Sequence, residues 1–165
     1  MNLAGEDANA FTWHLGPVDP GRCVVVDLDG VLSDASARQH YVNGTRKDWD
    51  GFFAAAHDDP LIDATKALLD ELDASLQVVL LTARPTTVHE LTERWLARHE
   101  IRWDLLVMRP AFDRRRSNAF KYDALQALLH AGFEPVLAFE DDPKNVEMLR
   151  SLDIPTVYVH SGYYD

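Results

Sequence analysis

The chain has 165 residues, 47% of them hydrophobic, which suits one compact domain burying about two-thirds of its unfolded surface. Its formal charge of -11 argues against a broad nucleic-acid-binding face, because phosphate backbones are held by Lys and Arg, yet clustered acids can hold a divalent cation that reverses the local charge. No run approaches the roughly 20 apolar residues that cross a bilayer, and no basic stretch precedes an apolar one at the start, so the chain reads as cytoplasmic. The single Cys23 cannot form an internal disulfide and reads as a core thiol.

Residues 1–20, with Pro17, Pro20 and several Gly and Asp, read as an irregular arm with Phe11 and Trp13 as packing anchors; residues 21–165 read as the single domain. Cys23 to Leu28 is an apolar run broken only by Asp27, the pattern of a strand buried on both faces. It passes straight into Asp27-Leu28-Asp29-Gly30. Residues 35–59 then have room for a flap and a small lid, not for a folded cap domain, and Trp49, Phe52 and Phe53 read as packing the lid or as touching a substrate base, with packing the better supported. Pro60 opens a helix to about Leu72. A strand over Val78 to Leu81 ends in Thr82-Ala83-Arg84, and Thr87 with Glu90 forms a capping box for the next helix. After a strand at Leu105 to Met108 comes a basic run, Arg114-Arg115-Arg116, which reads as a solvated loop or as a track for a substrate backbone. A helix from about Asn118 stops at Gly132, a strand at Val136 to Phe139 ends in Glu140-Asp141-Asp142, and Asp142-Pro143 caps a helix ending near Leu152. Thr156 to Val159 is the last strand.

Strand and helix alternate throughout, which implies right-handed crossovers and a mostly parallel sheet covered by helices on both faces. Ligands of such α/β sheets bind beyond the carboxyl ends of the strands. Side chains two apart on a strand point the same way, so Asp27 and Asp29 address one site, and two such carboxylates need a cation or a shared proton to coexist. Glu140, Asp141 and Asp142 add hard oxygen ligands of the kind that suit magnesium, although Asp142 reads better as a helix cap. Thr82, Ala83 and Arg84 offer a hydroxyl, backbone amides and a guanidinium to phosphate oxygens, and Lys121 brings an ammonium to the same edge. For Arg84 a structural ion pair weighs as much as substrate contact.

These residues, in this order, resemble the haloacid dehalogenase-like phosphatase superfamily, whose four motifs look like Asp27-Leu28-Asp29-Gly30, Thr82, Lys121 and Glu140-Asp141-Asp142 here. The resemblance runs from about residue 22 to the C-terminus and implies a Rossmann-like three-layer sandwich without a large cap. It implies that Asp27 attacks phosphorus and becomes a phosphoaspartate, while Asp29 protonates the leaving oxygen and then activates water. It further implies Mg²⁺ held by Asp27, the Asp29 carbonyl and motif-four acids, Asp141 with Glu140, and a phosphoryl group held by Thr82 and Lys121. A finer resemblance is to the phosphatase domain of phage-type bifunctional polynucleotide kinases, which remove 3′-phosphates from nucleic-acid ends. It lies in Arg84, Trp95, Met108 to Arg115, Val146-Glu147-Met148 and Ser161-Gly162. It departs from that pattern in lacking a kinase P-loop and in reading Glu-Asp for Asp-Asp in motif four.

Superfamily members without a large cap tend to take bulky or polymeric substrates, so the expected substrate is a phosphorylated nucleotide or nucleic-acid end, with no membrane and no obligate protein partner. A small-molecule phosphatase is the rival, encouraged by the charge. A catalytically silent phosphate-binding module would be expected to lack Asp27 or Asp29, and both are present. The seven His show no metal-ligand spacing, and Trp95 and Trp103 read as core.

Overall fold

The computed structural model describes residues 7–164. A six-stranded sheet runs in the order β1-β4-β3-β2-β5-β6, built from β1 (Phe11–Trp13), β2 (Arg22–Val26), β3 (Gln77–Pro85), β4 (Leu105–Arg109), β5 (Glu134–Glu140) and β6 (Thr156–Tyr158). All neighbours pair in parallel except β1, which lies antiparallel on β4. The mostly parallel three-layer α/β expectation therefore holds.

Alternation along the central strands explains the layers. Val24, Val26 and Leu80 point to one face, where they meet Leu69 of α2 (Asp63–Glu71) and Trp95 and Leu96 of α3 (His89–Arg98), after α1 (Trp49–Ala54) of the insert. Cys23, Val25, Val79 and Leu81 point to the other, against Leu125 and Leu128 of α4 (Ser117–Ala131) and Leu149 of α5 (Pro143–Ser151). Cys23 is fully buried and burial pushes its thiol up to about 12, so it is an inert core group. Among the described residues no helix is long and apolar enough to cross a membrane.

Three local expectations give way to tertiary contacts. The arm read as irregular supplies β1, with Phe11 opposite Val107 and Trp13 opposite Leu105; Trp13 stacks on Phe133 at 6.3 Å and His14 meets Trp103 at 4.5 Å. Three residues are too few to show a period, and residues 1–6 of that arm lie outside the described residues. The helix expected from Pro60 starts at Asp63, because Leu61 bridges to Ser33 and the Ile62 N–H donates to the Leu32 carbonyl at 2.8 Å, holding the chain extended. The Thr87–Glu90 capping box does not form: Thr86–Val88 make a 3-10 turn and Val88 takes the cap position without a side-chain bond, while Thr86 donates to the Asp7 carboxylate at 2.6 Å. The other two helix ends follow their residues. Gly132 takes a φ of +97°, and Asp142 accepts from the Lys144 N–H at 2.9 Å with Pro143 in the first turn.

The insert is a run of short helices, 3-10 at Ser36–Tyr41, then α1, then 3-10 at Ala55–Asp58, packed around Ala35, Phe52 and Phe53. It carries no strands and no large core, so it lids the sheet edge without forming a cap domain. Leu125 is fully buried and Leu129 is exposed on the same helix. Leu125→Ala is expected to cost about 2–5 kcal/mol of unfolding free energy and Leu129→Ala under about 1 kcal/mol, measured by urea denaturation.

Candidate active site

The site gathers where β2, β3 and β5 end. β2 gives out at Val26, and the Asp27 N–H donates to the Phe139 carbonyl at 3.1 Å, fixing the first acid between two strands. The chain then curls at Gly30, with a φ of +85°, and the N–H groups of Val31, Leu32 and Ser33 converge on the Leu28 carbonyl. A Cβ at residue 30 would overlap the Asp141 carboxylate, so only glycine lets the loop approach β5 this closely.

Lys121, buried on α4, sends its ammonium 2.9 Å from Asp27 and 2.7 Å from Glu140. The other Glu140 oxygen accepts the N–H groups of Asp141 and Asp142, both at 3.1 Å. Asp141 differs: both of its carboxylate oxygens are buried without a well-placed hydrogen-bond donor among the described residues. Asp27, Glu140 and Asp141 each present an oxygen within 4.8 Å of the others. Two orphaned oxygens among clustered carboxylates fit a hard divalent cation, with Asp141 the freest ligand. Asp142 is occupied as the α5 cap.

Asp29 lies in a different environment. Arg84 donates to its Oδ1 from Nε at 3.0 Å and Nη2 at 2.6 Å, and Arg38 from Nη2 at 2.5 Å. Among the described residues every hydrogen bond Asp29 accepts falls on Oδ1, which leaves Oδ2 without one. Both arginines are fixed in turn. Arg38 also binds Asp59 through Nε at 2.9 Å and Nη2 at 2.6 Å, with its guanidinium 4.2 Å over the Phe52 ring. Arg84 donates to the Ser33 hydroxyl at 2.9 Å, and that hydroxyl bonds Asp59. The Trp95 indole N–H donates to the Asp59 carbonyl at 2.9 Å, tying the network to α3.

Arg84 reaches Asp29 because β3 bulges: Thr82 pairs with Met108 and Pro85 with the very next residue, Arg109, so Ala83 and Arg84 leave the ladder. Thr82 is buried and its hydroxyl accepts the Arg84 N–H at 3.2 Å. The Arg84 guanidinium is fully buried and pairs with Asp29.

Charge divides the site. Burial raises Asp27 well above the carboxylate range, and Glu140 adds to it more than Lys121 relieves it. Burial likewise pushes Asp141 up to about 7, with Ser161 pulling the other way. Asp29 goes down: burial opposes its charge, but Arg84 and Arg38 overcome that and hold it at about 2. Burial works against the Lys121 ammonium too, yet Asp27 and Glu140 raise it, so it stays charged.

Asp27, Lys121, Glu140 and Asp141 thus come together, with Asp29, Thr82, Ala83 and Arg84 beside them on adjoining strand ends. The sequence reading missed Arg38, Asp59 and Ser33, which come from the insert and its edges and share no spacing with the motifs. It also missed the tail, where the Tyr163 hydroxyl donates to Asp34 at 3.0 Å. A cavity of about 370 Å³ lined by Thr86, Thr87 and Arg94 opens beside α3, and none of the clustered acids line it.

Residues 21–164 match the family model for the polynucleotide kinase PNKP phosphatase domain. A protein of Autographa californica nuclear polyhedrosis virus, described as a putative bifunctional polynucleotide kinase/RNA ligase, is 27% identical over 141 residues, covering 83% of this chain and 19% of that protein. Among solved structures, a chain of the Pnkp1/Rnl/Hen1 RNA repair complex superposes with a TM-score of 0.71 at 28% identity, over 90% of this chain and 45% of that one. A haloacid dehalogenase-like hydrolase of Streptococcus pneumoniae shares the fold, with a TM-score of 0.59 at 16% identity, over 82% of this chain and 83% of that one. The chain therefore spans less than half of the two polynucleotide-repair relatives it matches.

Removing one member of the buried network leaves its partners uncompensated. Arg38→Gln is expected to cost about 3 kcal/mol in urea denaturation, and Asp59→Asn in the same chain to recover more than half of that loss.

Proposed function

Since this chain belongs to the family of polynucleotide kinase PNKP phosphatase domains, and is a phosphatase of haloacid dehalogenase-like fold, we propose that it removes the 3′-phosphate from nucleic-acid ends through an aspartyl-phosphate. The observation that carries this reading is the electrostatic division of the sheet edge. Asp27 stands with an ammonium and orphaned acids, as a nucleophile beside a metal requires, and Asp29 stands apart under two guanidinium groups.

In this mechanism an Asp27 oxygen attacks phosphorus, the bond from phosphorus to the leaving oxygen breaks, and Asp29 gives that oxygen a proton through Oδ2. Asp29 then takes a proton from water, which attacks the phosphoaspartate, releases inorganic phosphate and restores Asp27. At rest Asp29 is ionised, and a phosphate dianion arriving beside it raises its proton affinity, supplying the acid form when the leaving group needs it. Lys121 offsets the charge of Asp27, so an anion can approach it, while the Thr82 hydroxyl and the Ala83 backbone in the bulge hold phosphoryl oxygens. Arg84 serves the substrate indirectly, by aiming Asp29.

Asp27, Glu140 and Asp141, with the Asp29 backbone carbonyl, would hold Mg²⁺, which supplies positive charge to the transferring phosphoryl oxygens. The acid pair Glu140-Asp141 divides the work: Glu140 is already bound by Lys121 and two backbone N–H groups, so Asp141 carries more of the coordination. The solved polynucleotide-repair relative sits in a multi-protein complex, so the expectation of no obligate protein partner gains no support.

The test measures phosphate release from 3′-phosphorylated and 5′-phosphorylated oligonucleotides, nucleoside monophosphates and sugar phosphates, with Mg²⁺ or EDTA. Release from 3′-ends that EDTA abolishes, that Asp27→Asn lowers by at least about 1,000-fold and that Asp29→Asn lowers by about 100-fold or more is the expected result. Turnover confined to sugar phosphates would overturn the nucleic-acid reading in favour of a metabolic phosphatase.

A further inference from the structure

We propose that the rim on the Asp29 side of the site binds single-stranded nucleic acid, holding the nucleotides that precede the phosphorylated end; this rests on the nucleic-acid reading above. The direction comes from the chemistry. The leaving oxygen takes its proton from Asp29, so the rest of the substrate departs over whatever stands beyond Asp29.

What stands there is a continuous relay of cation and ring. Arg38 touches Asp29 at 2.5 Å and lies 4.2 Å over Phe52; Phe52 meets Phe53 at 5.3 Å and Trp49 at 5.6 Å; Arg109, at the end of β4, lies 5.8 Å from the Phe53 ring. Phe52 and Phe53 are buried and serve as packing, but Trp49 is 47% exposed with Lys47 5.5 Å from its ring. Beyond Arg109 the loop continues through Phe112, 66% exposed, to three arginines. Arg115 is taken up by Asp113 at 2.7 Å and Asp123 at 2.5 Å. Arg114 and Arg116 are exposed and have no ion pair among the described residues.

In a chain with 27 acids and 16 bases, Arg114 and Arg116 carry positive charge without an ion pair among the described residues, in the loop after β4, whose end adjoins the carboxyl end of β3. One terminal phosphate ester needs Lys121 and the metal ligands, not a further pair of arginines a loop away. Exposed rings interleaved with free cations suit a strand whose bases are unpaired, because stacking needs open base faces and the cations follow the backbone. A duplex keeps every base behind its terminal pair stacked and paired, so it offers the interleaved rings far fewer open faces, and a small sugar phosphate does not reach the loop.

The experiment compares kcat/KM for a nucleoside 3′-monophosphate, 3′-phosphorylated single-stranded di- and tetranucleotides, and a blunt 3′-phosphorylated duplex. The proteins are wild type, Trp49→Ala, Arg114→Ala with Arg116→Ala, and Arg22→Ala at the opposite edge of the sheet, each checked for native melting. Wild type is expected to prefer the tetranucleotide over the mononucleotide by about tenfold or more, and single strand over duplex. The arginine pair is expected to lose most of that length preference together with its salt dependence, Trp49→Ala to raise KM about tenfold on single strands, and Arg22→Ala to keep the wild-type ratio. A ratio near unity in wild type, a ratio that survives loss of both arginines, or a preference for duplex would overturn the proposal while leaving the 3′-phosphatase reading intact. Hydrolysis of an aryl phosphate without any action on 3′-phosphorylated nucleic acid would instead remove that reading, and this one with it.

Discussion

Everything at the carboxyl edge of this sheet is arranged around an excess of buried negative charge. Among the described residues Asp27, Asp29, Asp59, Glu140 and Asp141 meet there with only Lys121, Arg38 and Arg84 to offset them. Charges in a low-dielectric interior interact strongly, so the distribution of those three cations decides which acids stay ionised. The arginines are spent on Asp29 and Asp59, and Lys121 is shared between Asp27 and Glu140. The shortfall lands on Asp27 and Asp141, the two whose proton affinity rises. A divalent cation held by this group would carry the missing charge, and in the proposed mechanism it would do so beside the residue that attacks phosphorus.

Much of this was readable in the sequence because each motif is contiguous and ends a strand. Asp27 interrupts an apolar run, Asp29 and Gly30 follow it, and Glu140-Asp141-Asp142 closes another, so strand assignment alone puts them at one edge. Asp142 before Pro143 announced its capping role in the same way. Arg38 and Asp59 gave no such signal. They lie in and at the end of an insert of short helices whose bounds follow no period, and their meaning arises only when Ser33, Arg84 and Asp29 come to them from elsewhere in the chain. Arg84 was visible but its partner was not, since the bulge that swings it under Asp29 depends on how β3 registers with β4. The first strand was lost because Phe11–Trp13 is too short to show alternation, and the capping box because a 3-10 turn over Thr86–Val88 moves the helix cap to Val88.

The insert does two jobs with few residues. Its inner side sends Arg38 to the acid and packs Phe52 and Phe53; its outer side leaves Trp49 and Lys47 at the mouth. A folded cap in the same place would enclose a small ester. A lid of two turns leaves the way open along the β4 loop, which fits a substrate far larger than the phosphate being removed.

That lid is also bolted down. Asp59 is gripped by Arg38 and Ser33, its carbonyl by Trp95, and the His57 carbonyl accepts from Arg98 at 2.8 Å, so both α3 and the catalytic loop hold the insert. Enzymes that hand a phosphoryl group to a chosen acceptor close over it to keep the solvent out. A phosphatase passes the phosphoryl group to water itself, so an entrance held in place costs it nothing. An entrance of that kind suits hydrolysis, because the proposed mechanism needs water to reach the phosphoaspartate behind it.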